Sequence, residues 1–310
     1  MSAGCLREGD ASPSLEKTAG KRNVYIKLSV KVKGSGSFYH FMLGEFLPVL
    51  DIILENNLED DIVHLCNNRC QKRKYLEKAA TFRHFYSELP FAINVVNGEN
   101  SLLGANGEAY EVVRLDKLST KFKDDARNAR MERSIEWLKT YALANVAEDT
   151  RRDAPLVIFQ QRDAASKLNR SVDNLASCFE RFLGLSQQFV PVERCQLVIP
   201  GNDGQTLLGQ IRQHMQGRVL VGEHGAGLLH FMWMAPGAFV VEIGTKEKTR
   251  KNYFQKIGSN VLGITFAQVE VEDSNQKECV SHVVDEDKVL SQVLQALESL
   301  DEGNFQSLKS

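Results

Sequence analysis

Hydrophobic and polar positions alternate at the start of the chain and then give way to a long apolar segment. Residues 24–32 alternate between apolar and polar side chains, which predicts a β-strand. Residues 38–56 are apolar on most sides and predict a buried helix that Pro48 bends or divides. Further strands are predicted at residues 61–66, 91–96 and 111–115, and a charged helix at residues 72–86. The first part of the chain is therefore expected to mix strands and helices.

A highly charged segment, residues 116–149, follows. Its apolar residues Met131, Ile135, Leu138 and Ala142 recur at helical spacing, so one face of a helix should be buried. The charges are interpreted as a solvated face. The polar linker at residues 147–155 is the predicted domain boundary.

Beyond the linker, strands and helices alternate regularly. Strands are predicted at residues 156–160, 196–199, 219–221, 239–243 and 261–265, and helices at residues 171–183, 205–215, 252–257 and 286–300. Such alternation is typical of an α/β fold with parallel sheets. We expect a flexible tail (1–22), an N-terminal Rossmann-like domain (23–147) and a C-terminal nucleotide-binding Rossmann-like domain (148–310). Whether the closing helix packs on its own domain or back on the first one stays open.

The overall composition excludes several classes of protein. The chain has 310 residues, 43% hydrophobic and 25% charged, with a net charge of −2, so no global field favours nucleic acid or anionic membranes. No apolar run is long enough to cross a bilayer, and the polar start lacks the apolar region of a signal peptide. The six cysteines show no metal-ligand spacing and are interpreted as free thiols of a reducing compartment. These features favour a cytoplasmic protein, or a luminal one whose targeting segment has been removed.

A glycine-rich turn between two predicted strands is the first candidate site. Gly222, His224, Gly225 and Gly227 follow strand 219–221, and Glu242 lies in the next strand. The spacing matches neither a dinucleotide fingerprint nor a P-loop. Ligands of open α/β sheets bind at the carboxyl ends of the strands, where this turn and this acid should lie. The alternative is a tight turn that serves only packing.

Two further segments carry candidate chemistry. Arg162 and Lys167 follow strand 156–160, where a guanidinium could clamp a diphosphate; the alternative is an ion pair between Arg162 and Asp163 or an exposed carboxylate. The first apolar helix contains His40 and Glu45, and a buried carboxylate such as Glu45 is costly unless it has a partner. A histidine and a carboxylate at this place could act as acid or base on an acceptor hydroxyl. The alternative for Glu45 is an ion pair with Arg73 or Arg83.

Three segments together resemble glycosyltransferase family 61. VGEHGAGLLHFMWMAPGAFVVEI, residues 221–243, is similar to the histidine–glycine turn, proline–glycine and glutamate-ended strand of that family. FYHFMLGEFLPVL and FQQRDAASKLNR are similar to two weaker family segments and occur in the same order. The resemblance implies a GT-B architecture, in which two Rossmann-like domains with parallel sheets face each other across a cleft.

The resemblance also implies roles for residues. The donor would be held by Arg162, Lys167, Glu242 and the turn; the turn residues are Gly222, Glu223, His224, Gly225, Ala226 and Gly227. Within this set, Arg162, His224 and Gly225 would face the diphosphate and Glu242 the ribose. The acceptor would approach past His40 and Glu45. Because Glu45 lies one residue later than the family acid, with Gly44 at the expected position, the general base stays open between Glu45, His40 and His224.

The expected activity is inverting transfer of xylose or N-acetylglucosamine from a UDP-sugar to a hydroxyl of a glycan or glycoprotein. No metal and no cofactor is expected, and the UDP-sugar serves as co-substrate. A cytoplasmic enzyme of bacterial or viral origin fits best. The rival hypotheses are a nucleotide-cofactor oxidoreductase, which needs a glycine fingerprint and a ribose-binding acid that do not occur together here, and a non-catalytic nucleotide-sugar-binding module.

Overall fold

The computed structural model describes ten ranges of the chain. They are residues 21–28, 38–67, 82–97, 109–111, 125–145, 156–162, 172–199, 206–246, 253–271 and 282–301. Within them the strands form two parallel sheets, with helices between and around the sheets. The predicted α/β class is confirmed. Residues 1–20 of the predicted tail (1–22) and residues 147–155 of the linker lie outside the described residues, so the domain boundaries stay predictions.

The N-terminal sheet contains four parallel strands in the order β3-β2-β1-β4. The strands are β1 (Asn23–Leu28), β2 (Ile62–Asn67), β3 (Ala92–Asn97) and β4 (Ala109–Glu111). Alternate residues of β1 and β2 point to one face and are fully buried there; they are Val24, Ile26, Val63 and Leu65. This face of the sheet forms one side of the N-terminal hydrophobic core.

The apolar segment after β1 forms the predicted buried helix. It consists of α1 (Phe38–Phe41), a π-helical turn (Met42–Phe46) and α2 (Leu47–Glu55). Pro48 stands in the first turn of α2, where a missing backbone N–H costs least. The backbone stays helical from α1 to α2, so Pro48 follows a local widening of the helix and does not break it.

Helix α3 (Asp125–Asn145) buries the residues that its periodicity predicts: Met131, Ile135, Leu138 and Ala142. The interpretation of its charges as merely solvated was wrong for two arginines. Arg130 and Arg133 both bind the carboxylate of Asp51 in α2, which is only 1% exposed. A carboxylate buried between two helices must be paired, because an uncompensated buried charge is strongly destabilising.

A further buried acid lies at the start of β2. Asp61 is buried and accepts two hydrogen bonds from the guanidinium of Arg22, at 3.2 and 2.7 Å. The hydrogen bond from Arg22 lowers the pKa of Asp61. Its neighbours Glu59 and Asp60 are exposed.

The C-terminal sheet contains five parallel strands in the order β6-β5-β7-β8-β9. The strands are β5 (Val157–Gln160), β6 (Cys195–Val198), β7 (Val219–Glu223), β8 (Phe239–Thr245) and β9 (Thr265–Val271). The helices of this half are α4 (Leu175–Ser186), α5 (Leu207–Met215), α6 (Tyr253–Val261) and α7 (Glu286–Asp301). Short 3₁₀ helices occur at His84–Glu88, Val192–Arg194 and Ala226–Trp233.

The two faces of the C-terminal sheet belong to different cores. Val157, Val219 and Val241 point towards α4 and α7 in one buried cluster. Ile158, Leu220 and Val240 point the other way, into a cluster that continues through α5 and Ala226–Trp233 into the N-terminal helices. Helix α7 therefore packs on the C-terminal sheet, and the option that it returns to the first domain is not what the structure shows.

One predicted strand was wrong. Residues 261–265 were predicted to form a strand, but Val261 ends helix α6 and β9 begins at Thr265. Gly263 has a positive φ of 63°, and the N–H of Ile264 returns to the carbonyl of Gly258, which closes the helix in the manner of a glycine C-cap. The short apolar run that looked like a strand is thus the end of a helix and its cap.

A polar contact also joins the two halves. The carboxylate of Glu88, at the end of the first 3₁₀ helix, accepts hydrogen bonds from the N–H groups of Leu207 and Leu208, at 2.9 and 3.0 Å. These are N–H groups at the start of α5, where the helix dipole favours a negative charge. Together with the shared apolar cluster, this contact fixes α5 against the N-terminal half.

Candidate functional site

The candidate site lies at the carboxyl ends of β5, β7 and β8, which are neighbours in the C-terminal sheet. Arg162 follows β5, and Glu242 lies in β8. The turn at residues 222–227 begins in the last two residues of β7. The register pairs Gln160 with Gly222 and Gly222 with Glu242. The sheet therefore brings together three of the sequence-predicted segments at one edge.

His224 and Glu242 form a hydrogen-bonded pair. Nδ1 of His224 lies 2.5 Å from Oε1 of Glu242, and Nε2 of Gln268 donates to Oε2 of Glu242 at 3.0 Å. Because an ionised carboxylate only accepts hydrogen bonds, Nδ1 of His224 carries a proton, and in the neutral imidazole Nε2 has the lone pair. The imidazole is 20% exposed whereas Glu242 is 1% exposed. A buried carboxylate thus fixes the orientation of a partly exposed histidine.

Arg162 reaches across the glycine turn. Its Nη2 donates to the carbonyl of His224 at 3.0 Å, and its Nε lies 3.5 Å from Oε2 of Glu223. A Cβ at Gly225 would lie 1.9 Å from Nη2 of Arg162, so only a glycine leaves room for this guanidinium. The arginine thus contacts a buried acid of the turn itself; Asp163, which the sequence offered as an alternative partner, lies outside the described residues.

Glu223 is the last residue of β7 and is buried beneath the turn. Its Oε1 accepts a hydrogen bond from the N–H of Val172 at 2.8 Å. Burial raises the pKa of Glu223, while the hydrogen bond from Val172 and the charge of Arg162 act in the opposite direction. Its carboxylate faces the protein interior, whereas the sequence suggested a direct contact with a donor.

The turn leads into a 3₁₀ helix and not into the α-helix of a dinucleotide-binding unit. Gln160 steadies the start of this helix, since its Nε2 donates to the carbonyl of Gly227 at 3.0 Å. A Cβ at Gly222 would lie 3.0 Å from a methyl group of Leu228. Close packing between β5, the turn and this helix therefore leaves little room for a side chain at position 222. The role of Gly222 is to let these elements pack together.

Aromatic rings connect His224 to the N-terminal half. The ring of Phe254 lies 5.1 Å from that of His224, and Tyr39 of α1 packs edge-on against Phe254 at 5.6 Å. Helix α1 thus borders the site. His40 lies in α1, but its side chain is outside the described part of the structure.

Glu45 has the partner that the alternative interpretation named. Its two oxygens accept hydrogen bonds from Nε and Nη2 of Arg83, at 2.8 and 3.1 Å. Glu45 is 0% exposed and Arg83 10% exposed. Among the described residues, no hydrogen bond joins Glu45 to the group around His224. Its role as a general base stays a prediction, with both oxygens occupied.

Sequence reasoning missed some residues of the site and could not place others. Gln268 was missed because the strand that carries it was predicted too early in the chain. Phe254 gives no signal in the sequence beyond an ordinary apolar helix position. Lys167 lies outside the described residues. Gln160 could have been noticed, because it is the polar end of an apolar strand immediately before Arg162.

The described residues contain neither a cluster of metal ligands nor a helix that could cross a membrane. No group of three or more histidine, cysteine, aspartate or glutamate side chains in these ranges could hold a metal ion. Among the described helices, none combines the length and the apolar character that a bilayer crossing requires. The metal-free mechanism stays a prediction.

Two parallel sheets, with a histidine, an arginine and a glycine turn at the carboxyl ends of neighbouring strands, define an α/β protein of the kind that binds ligands at that end of the sheet. The sequence model of the family described as Glycosyltransferase 61 matches residues 38–241, which is more than half of the chain. The chain therefore belongs to glycosyltransferase family 61 and is a glycosyltransferase. A comparison with curated proteins found no significant match.

Proposed function

We propose that this glycosyltransferase moves a sugar from a UDP-sugar to a hydroxyl of a glycan or glycoprotein, with inversion and without a metal. Xylose and N-acetylglucosamine are the proposed donor sugars, on the strength of the family resemblance. The observation that supports the proposal most is the His224–Glu242 pair beside Arg162 and Gly225. These residues lie at the carboxyl ends of neighbouring strands of one sheet.

In this proposal Arg162 and the turn bind the leaving group. The guanidinium lies over Gly225, in the space that a side chain at this position would fill. A planar guanidinium suits a diphosphate, because it can donate two parallel hydrogen bonds to phosphate oxygens. The charge that develops on the diphosphate in the transition state would meet a cation already in place.

His224 is the proposed general base. Its Nε2 takes the proton from the acceptor hydroxyl while the hydroxyl oxygen bonds to the anomeric carbon. The bond from that carbon to the diphosphate oxygen breaks on the opposite face, and UDP leaves with the electron pair. The sugar configuration inverts. The imidazolium that forms is stabilised by the carboxylate of Glu242 2.5 Å away.

Glu242 then acts through His224. Both of its oxygens are engaged, one by His224 and one by Gln268, and its side chain is 1% exposed. A ribose would have to displace one of these partners to reach it. Glu242 is therefore proposed to hold the tautomer and orientation of His224, in place of the ribose contact expected from the sequence.

Glu45 is proposed to be structural. Its carboxylate is fully buried and bound at two points by Arg83, so it is poorly placed to receive a proton from an acceptor. His40 is proposed to lie on the acceptor side, because α1 borders the site through Tyr39 and Phe254. A GT-B arrangement with a donor-binding C-terminal half and a cytoplasmic location complete the proposal.

Release of UDP from a panel of UDP-sugars, with and without EDTA, tests the donor and the metal together. We expect release from UDP-xylose or UDP-N-acetylglucosamine that EDTA leaves unchanged. A strict need for manganese would contradict the metal-free mechanism. If the protein binds UDP-sugars but releases no UDP from them with any of several acceptors, the non-catalytic module is favoured.

His224→Gln separates two roles for the histidine. If His224 is the general base, the substitution should lower kcat on the order of 10²–10⁴-fold and leave the Kd for UDP almost unchanged. Loss of UDP affinity with little change in kcat would instead make His224 a ligand of the diphosphate. His84→Gln, an exposed histidine of the N-terminal half, is the matched control.

A further inference from the structure

Glu223 occupies an unusual position for a charged residue of a turn. Its side chain is 4% exposed, so it cannot contact a donor that binds at the surface of the turn. Oε1 accepts from the N–H of Val172, whereas Oε2 is buried without a hydrogen-bond partner among the described residues. The cation that faces Oε2 is Arg162, whose Nε lies 3.5 Å away.

We propose that Glu223 is a positioning residue, whose buried carboxylate holds the guanidinium of Arg162 over Gly225 so that it faces the diphosphate of the donor. The inference rests on the donor site described under the proposed function. It gives Glu223 a part in donor binding through Arg162, without a contact to the donor itself.

Geometry supports this role because Arg162 is held at two separate points. Glu223 faces the Nε side of the guanidinium, and the carbonyl of His224 accepts from Nη2 at 3.0 Å. An arginine side chain has four flexible torsions, and fixing it on binding costs conformational free energy. A guanidinium fixed before the donor arrives avoids that cost, which appears as tighter binding of the diphosphate.

The charge of Glu223 is the feature that matters for Arg162. A carboxylate that is 4% exposed is expensive unless a cation lies close, and Arg162 is the cation that the structure places beside it. The hydrogen bond to Val172 needs only an oxygen atom. Glutamine supplies that oxygen without the charge, so the two functions of Glu223 can be separated by one substitution.

Glu223→Gln is therefore the test, with the Kd for UDP measured by calorimetry. We expect UDP affinity to fall about tenfold with the melting temperature near wild type, and kcat to fall by no more than a similar factor, because Arg162 also faces the charge that develops on the leaving group. In an Arg162→Ala background the same substitution should have almost no further effect, because the arginine that it positions is gone. Glu180→Gln, an exposed acid on α4, is the control for the change in charge.

Several results would overturn the inference. Unchanged UDP affinity in Glu223→Gln would do so, and so would an equal loss of affinity with and without Arg162. If Glu223→Gln fails to fold, Arg162→Lys takes over the test: lysine keeps the charge but lacks the Nε that faces Glu223, so a loss of about tenfold is expected and unchanged affinity contradicts the proposal. A wild-type enzyme that binds no UDP at all refutes the donor site itself, which is a distinguishable failure.

Discussion

Nδ1 of His224 lies 2.5 Å from Oε1 of Glu242, and these residues stand on different segments of the chain, the glycine turn and strand β8. The parallel pairing of β7 and β8 puts Gly222 beside Glu242, so the carboxylate lies next to the start of the turn. The sheet register thus builds the pair before any ligand binds. Such a preformed pair can transfer a proton without reorganising first.

Glu242→Gln should therefore lower kcat strongly and change the free energy of unfolding only a little. The amide retains the size of the carboxylate but cannot stabilise an imidazolium, and it can hold the histidine in the wrong tautomer. We expect a loss in kcat on the order of 10²–10⁴-fold with little change in the Kd for UDP. Steady-state kinetics and UDP titration measure both. Glu270→Gln, an exposed acid on β9, should behave as wild type; a similar loss in that control would contradict the interpretation.

Glu45→Gln should act on stability and not on the chemical step. Replacing the Glu45 carboxylate by an amide removes the charged partner that binds Arg83 at two points, which should cost about 3 kcal/mol. Urea unfolding measures that loss, and the double variant Glu45→Gln/Arg83→Gln should recover part of it. Activity per folded molecule should stay within a few-fold of wild type. If folded protein instead loses turnover by a factor on the order of 10² or more, Glu45 returns to the role of general base.

Gly225→Ala should weaken donor binding without unfolding the protein. The new methyl group would lie 1.9 Å from Nη2 of Arg162, so the guanidinium must leave its place over the turn. Moving the guanidinium also takes the cation away from the buried carboxylate of Glu223, so we expect the free energy of unfolding to fall by about 1–3 kcal/mol. UDP affinity should fall about tenfold or more. Gly184→Ala, where no atom lies within 4 Å of the new Cβ, is the matched control.

Most of the C-terminal fold could be predicted from the sequence, because strands and helices alternate there with clear periods. The predicted helices and strands from residue 156 to residue 243 agree with α4, α5 and strands β5 to β8 to within a few residues. The failure at residues 261–265 has a local cause. An apolar run of this length fits a helix end as well as a strand, and only the cap at Gly263 decides between them.

The candidate site was predictable as a set of segments but not as a set of contacts. Strand order decides which carboxyl ends are neighbours, and no periodicity in one sequence reveals that order. The pairing of His224 with Glu242, and of Arg162 with Glu223, depends on the placement of β5, β7 and β8 side by side. The pairing of Arg130 and Arg133 with Asp51 was missed for a similar reason, because the acid and its two partners lie far apart in the chain.

A buried histidine pair should make stability depend on pH. His214 of α5 stacks on His230 at 4.7 Å, and burial lowers the pKa of His214 to about 4 and that of His230 well below its usual value. Since the unfolded chain binds these protons near pH 6.5, stability is fully present above that pH and falls as the pH drops towards 4. His214 alone should cost about 2 kcal/mol between pH 7 and pH 5.

Urea unfolding at pH 7 and pH 5 measures this effect. His214→Phe retains an aromatic ring in the stack but cannot titrate, so its stability should change less between the two pH values. His84→Gln, at an exposed position, should keep the wild-type dependence. An identical dependence in His214→Phe and wild type would show that other groups cause it.

The apolar cluster that runs from the N-terminal helices to one face of the C-terminal sheet has a consequence for how the protein folds. Ile53 and Leu138 of the first half belong to the same buried cluster as Leu220 and Trp233 of the second. Separating the two halves would expose the apolar surface of this cluster to water. The protein should therefore melt in a single cooperative transition, and a fragment cut at the predicted linker should not reach a native fold by itself.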